Sequence, residues 1–127
     1  MPITSLNINY TGNILVWDWI KPTQPLLKGT YIPKSFEMAT NTRNVWVHPN
    51  ATKHMQEYLT RNTPANSLEA LKRINNKAML LSFHSAANTA STNGVKYNQI
   101  MNVGQWELKF SMKAKDKFPV VMHAVYK

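Results

Sequence analysis

The feature that most constrains this chain is a change of hydrophobic period near Gly94. Before it, from Ala51 onward, apolar residues recur three and four apart; after it they alternate. The alternation is cleanest at 106–112, where Trp106, Leu108, Phe110 and Met112 face one way and Glu107, Lys109 and Ser111 the other. Helices in the middle followed by strands at the end predict an α+β fold, with central helices packed on a C-terminal antiparallel β-sheet.

The remaining elements fit around that frame. Ile3, Leu6, Ile8 and Tyr10 suit a strand or an extended arm, and Gly12-Asn13 signals a turn. Ile14 to Ile20 reads either as a buried strand or as one or two helical turns, with Asp18 as a turn or cap acid. Pro22, Pro25, Gly29 and Pro33 keep the next stretch out of a helix. Ser35–Met38 and Val45–Val47 predict a hairpin around Thr40–Asn44. Ser67 is placed to cap a second helix, with Leu68, Leu71, Ile74, Ala78 and Leu81 toward the core, a possible break at Asn75-Asn76 and an end at Gly94. Tyr97–Val103 and Pro119–Tyr126 are the other strands. Strict alternation puts Val121, His123 and Val125 on one face of the last strand, so His123 reads as a core histidine, as does His84 in its apolar helix. All 127 residues read as one domain, with 1–31 a less defined arm.

Charge narrows the partners. Lys and Arg number 15 against 6 Asp and Glu, a net charge of +9, which favours a polyanion or an acidic protein. The absence of cysteine excludes a disulfide scaffold, a thiolate zinc site and a cysteine nucleophile. The acids are scattered, His48 and His54 lack zinc-helix spacing, and the four glycines are isolated. Metal, cofactor and nucleotide-loop chemistry are therefore not expected. No apolar run has the length of a membrane span, and the start lacks signal-peptide order.

Chemistry gathers at Val47–Leu59. Asn50 is the expected N-cap after Pro49, and Ala51, Met55 and Leu59 face the core. His54 and Tyr58 share a face, as do Lys53 and Glu57, beside a helix N-terminus suited to an anion.

Three stretches carry a resemblance to a known group: Ile32–Glu37 with Trp46–Met55, the helix ending near Gly94, and Val103–Phe110 with Phe118–Ala124. Over 32–126 the chain resembles the C-terminal toxin modules of bacterial polymorphic toxins, such as contact-dependent inhibition effectors and Rhs-type or LXG-type proteins. The resemblance implies a barnase/EndoU/RelE-like fold and metal-free cleavage of RNA, often transfer RNA. It also implies an acidic cognate immunity protein, no membrane partner, a monomer when free, and delivery as part of a larger effector into the cytoplasm of a target bacterium.

Metal-free RNA cleavage needs a base for the 2′-hydroxyl, an acid for the leaving 5′-oxygen and a cation for the phosphate. Histidine serves the first two and lysine or arginine the third. The candidates for catalysis are His54, oriented by Tyr58 or Glu57, then Lys53, His48 and Glu107. For substrate binding they are Thr52, Tyr58, Lys109, Ser111, Trp106 and Arg43. Two other readings stay open: a non-catalytic module that stacks and charge-pairs with single-stranded nucleic acid, and a toxin with a DNA or nucleotide target.

Overall fold

A computed structural model describes residues 9–11, 14–16 and 19–127, with side chains from residue 19 onward. The expected turn at Gly12-Asn13, the acid at Asp18 and the apolar residues at positions 3, 6 and 8 lie outside the described residues. Strands β1 (Asn9–Thr11) and β2 (Ile14–Val16) pair antiparallel as a separate ribbon. The body is β3 (Ile20–Pro22), β4 (Phe36–Ala39), β5 (Asn44–Val47), helix α1 (Pro49–Asn62), helix α2 (Glu69–Asn93), β6 (Ile100–Val103), β7 (Trp106–Ser111) and β8 (Val120–Tyr126).

The fold is α+β: two helices and a six-stranded mixed sheet ordered β3-β4-β5-β8-β7-β6. The sheet is not the purely C-terminal antiparallel unit expected. The β4–β5 hairpin forms as predicted, but its inward residues Phe36, Met38, Val45 and Val47 are fully or almost fully buried. The hairpin therefore has a core face of its own and extends the sheet. It joins through a parallel pairing of β5 with β8, Trp46 opposite Val120 and Val47 opposite Val121. Parallel neighbours need a long crossover, and the whole stretch from α1 to β7 supplies it.

Helix α2 is continuous, with no break at Asn75-Asn76. Asn76 is buried because its Oδ1 accepts the Tyr31 amide at 2.8 Å and its Nδ2 donates to the Lys72 carbonyl at 2.7 Å. The core stripe of α2 runs through Asn76, Leu80, Phe83, Ala87 and Ala90, spacings of four, three, four and three. The stripe expected through Leu68, Leu71 and Ile74 sits about one residue's rotation away, and these three are 79%, 44% and 61% exposed. Leu68, not Ser67, is the N-cap residue, and no side chain caps that end. Gly94 ends the helix at a φ of 100°, as its glycine predicts. The core packs Phe83 against Trp106, with Leu108, Phe110, Val121 and Ala124 from the sheet and Met55 and Leu59 from α1.

Candidate functional site

Helix α1 crosses β8, and two histidines meet where it does. His54 stands in the second turn of α1 and His123 in β8; their rings pack edge to face, centroids 5.3 Å apart. Each has its own carboxylate. His54 Nδ1 donates to Glu57 Oε1 at 3.0 Å, one helical turn on. Because an ionised carboxylate only accepts, this bond fixes the proton on Nδ1 and leaves Nε2 as the lone-pair nitrogen of the neutral ring. His123 Nε2 faces Glu107 Oε2 on the neighbouring strand at 3.7 Å, beyond hydrogen-bond reach; that nitrogen is shielded from solvent and has no hydrogen-bond partner among the described residues.

Glu107 is held ionised. The Lys127 ammonium, hydrogen-bonded to it, draws its carboxyl below the ordinary carboxylate value, and His123 adds to the effect. Lys109 lies directly across from His123 in the β7–β8 ladder. Both histidines remain partly open, at 33% and 26% of their side-chain surface.

A β-bulge puts His123 there. Lys109 pairs with His123 but Phe110 pairs with Val121, so Met122 is an extra residue in β8. Past the bulge the alternation is displaced. Val121 joins Phe110, Leu108 and Ala124 in the core, while His123 shares a face with Lys109 and Glu107. The expectation of a core histidine at 123 fails for this reason. The bulge is tied to α1, since Asn50 Nδ2 donates to the Met122 carbonyl at 2.9 Å.

The other expected residues are placed as follows. His48, not Asn50, is the N-cap of α1: its Nδ1 accepts the Asn50 amide at 2.9 Å, its ring packs edge-on to Trp46, and Pro49 follows in the first turn. The amides of Ala51 and Thr52 donate to the His48 carbonyl. The helix start thus has its amides engaged and is not the open anion site anticipated. Thr52 is fully buried, its hydroxyl donating to the Lys34 carbonyl at 2.6 Å, so it cannot reach a phosphate. Trp106 is 3% exposed and its indole N–H donates to Ser82, which leaves no face for stacking a base. Ser111 is buried, while Glu107 and Lys109 stay half-open on the strand face expected to be accessible. Glu57 pairs with His54 rather than with Lys53, which is exposed. Arg43 lies in the β4–β5 turn, outside the cluster. Tyr58 packs edge-on to Tyr126, centroids 5.2 Å apart, as the next contact between α1 and β8. His84 is buried as expected, stacked 4.0 Å from Trp19 with Nε2 donating to the Ala39 carbonyl at 2.8 Å.

Among the described residues no group of three or more His, Asp or Glu side chains is arranged to hold a metal ion, and no helix is long and apolar enough to cross a membrane. No protein-family model matches the chain, and comparison with curated proteins finds no match.

Proposed function

We propose that this chain is a metal-independent endoribonuclease, with His54 and His123 as its proton-transfer pair. The observation that carries the reading is their ring contact at 5.3 Å, each imidazole facing a separate carboxylate. One histidine takes the proton of the 2′-hydroxyl. The 2′-oxygen attacks phosphorus, the P–O5′ bond breaks, and the other histidine protonates the leaving oxygen. The products are a 2′,3′-cyclic phosphate and a 5′-hydroxyl. Glu57 orients the His54 ring through its hydrogen bond, and the negative charges of Glu57 and Glu107 stabilise whichever ring becomes imidazolium. Lys109 and Lys53 are the cations nearest in sequence and register to offset the charge on the phosphate.

The helices-then-strands order of α1, α2, β6, β7 and β8 supports a barnase/EndoU/RelE-like class, with the β3–β5 strands an addition to it. On this reading the chain is the toxin module of a larger antibacterial effector, acts on transfer RNA in a recipient cytoplasm, and is neutralised by an acidic immunity protein. The charge of +9 supports an acidic partner and a polyanionic substrate alike.

The test is cleavage of RNA and of its 2′-deoxy counterpart. Wild type is expected to cut RNA to cyclic-phosphate ends and to leave DNA intact. His54→Ala and His123→Ala are each expected to lower kcat/KM about 10²–10⁴-fold, the usual contribution of general acid–base catalysis. Each should also remove one limb of a bell-shaped pH–rate profile. Cleavage of DNA, or full activity in both variants, would overturn the reading. Tight RNA binding with no product would instead favour the non-catalytic module.

A further inference from the structure

Sheet alternation turns one tryptophan away from the core. Phe36, Met38, Val45 and Val47 point inward, so Glu37 and Trp46, which pair across β4 and β5, point out. Trp46 sits opposite Val120 in β8, and Val120 opposite Ser111 in β7. Ser111 is two residues from Lys109 and so shares its face, and Lys109 pairs with His123. Trp46 and His123 therefore lie on one face of the sheet, about 7 Å apart along the strands and about 5 Å across them.

The indole is only half-buried, and it is held in place. Its N–H donates to Thr23 Oγ1 at 3.0 Å, and the His48 ring packs edge to face with it. With Phe118 and Val120 it forms the apolar floor of a cleft of about 210 Å³. The two acids at the rim have partners: Glu37 pairs with Lys21 at 3.9 Å, and Asp116 Oδ2 accepts the Lys113 amide at 2.9 Å. The two lysines at the rim, Lys115 and Lys117, are exposed and in no ion pair among the described residues. Lys117 Nζ stands over the Phe118 ring, 5.2 Å from its centroid, which keeps the ammonium at the cleft. A fixed aromatic floor stacks a planar ring, and the lysines meet the anionic groups attached to it.

We infer that the Trp46 cleft is a base-stacking subsite for single-stranded nucleic acid, with Lys115 and Lys117 on the neighbouring phosphates. On the shared face it holds a nucleotide that flanks the one cleaved at His54 and His123. That placement rests on the ribonuclease reading; the stacking itself does not, and it can be measured without turnover.

The probe is a labelled 2′-O-methyl hexauridylate, which has no free 2′-hydroxyl to attack phosphorus, titrated onto the intact chain. Trp46→Leu is expected to weaken binding at least about fivefold through the lost stack, while Trp46→Phe, which keeps a ring, should stay within about threefold of wild type. Replacing both Lys115 and Lys117 by alanine should make the plot of log affinity against log salt shallower by about 1.4, or about 0.7 for each phosphate contact removed. Both lysines are exposed, so this variant still decides the matter where Trp46→Leu loosens the sheet. Unchanged affinity in Trp46→Leu, an unchanged salt slope in the lysine variant, or no binding by wild type would overturn the subsite. Total cellular RNA is then incubated with the same proteins. Binding that depends on Trp46 without any cleavage would sink the ribonuclease reading and keep the subsite. Cleavage by a chain whose binding ignores Trp46 would do the reverse.

Discussion

Stacked on Trp19, with its Nε2–H given to Ala39, His84 resists protonation: burial lowers its pKa from the ordinary 6.5. The unfolded chain takes a proton at that ordinary value while the folded chain resists it. Stability from this site is therefore full above pH 6.5 and lost as pH falls from there through the lower folded value. Glu107 acts in a separate window. Its folded pKa is below the ordinary 4.5, so its contribution is present above 4.5 and lost as pH falls through the folded value. The thermal midpoint is expected to start falling as pH drops below 6.5, and His84→Gln, which keeps a donor for Ala39, should flatten that first decline. Midpoints measured from pH 8 to pH 4 check this; an unchanged slope in the variant would rule His84 out as its source. The same residue shows what the sequence discloses about single side chains. His84 was legible as a core histidine because its helix is apolar on both sides. His123 was not, since the displacement of its face depends on an extra residue in β8 that the alternating pattern does not reveal.

At the scale of elements, α1 is set by its start. The His48 imidazole accepts the Asn50 amide and the His48 carbonyl takes the next two, while the His48 amide donates to Val121 in β8. His48→Ala removes the side-chain cap and leaves the backbone bonds, so it is expected to cost about 1 kcal/mol of stability. His48→Asn should restore most of it. Under the proposed mechanism both variants keep ribonuclease activity within a few-fold, unlike His54→Ala. Denaturant unfolding beside cleavage rates decides the point, and a loss of activity in His48→Asn as large as that of His54→Ala would return His48 to the catalytic set. The hairpin, both helices and β7 were legible because local period and turn residues specify them. The cap was misassigned to Asn50 because asparagine is the commoner capping residue, yet here its side chain reaches across to the bulge carbonyl of Met122. The core face of α2 was misjudged because leucine and isoleucine at 68, 71 and 74 outweigh alanines in a pattern, while the structure buries Ala87 and Ala90 and leaves those large residues exposed.

Across the whole molecule, the least legible feature is the parallel union of β5 with β8, which makes one sheet of two stretches far apart in sequence. Strand pairing of that range leaves no local signal. The union matters for the site, because α1 leaves β5 directly and so lies over β8, the strand that carries His123. Charge, by contrast, was fully legible, and it carries a prediction of its own. With +9 spread over 127 residues, binding to a single-stranded polyanion should release counterions and weaken steeply with salt. For about four neutralised phosphates, a slope near −0.7 per phosphate gives roughly a 50-fold loss of affinity from 50 to 200 mM salt. The His54→Ala, His123→Ala double variant should follow the same slope, since neither change removes a lysine or an arginine. Fluorescence anisotropy with a labelled oligoribonucleotide measures it. A slope near zero would mean that the basic surface does not meet the nucleic acid, and that its charge serves an acidic protein partner instead.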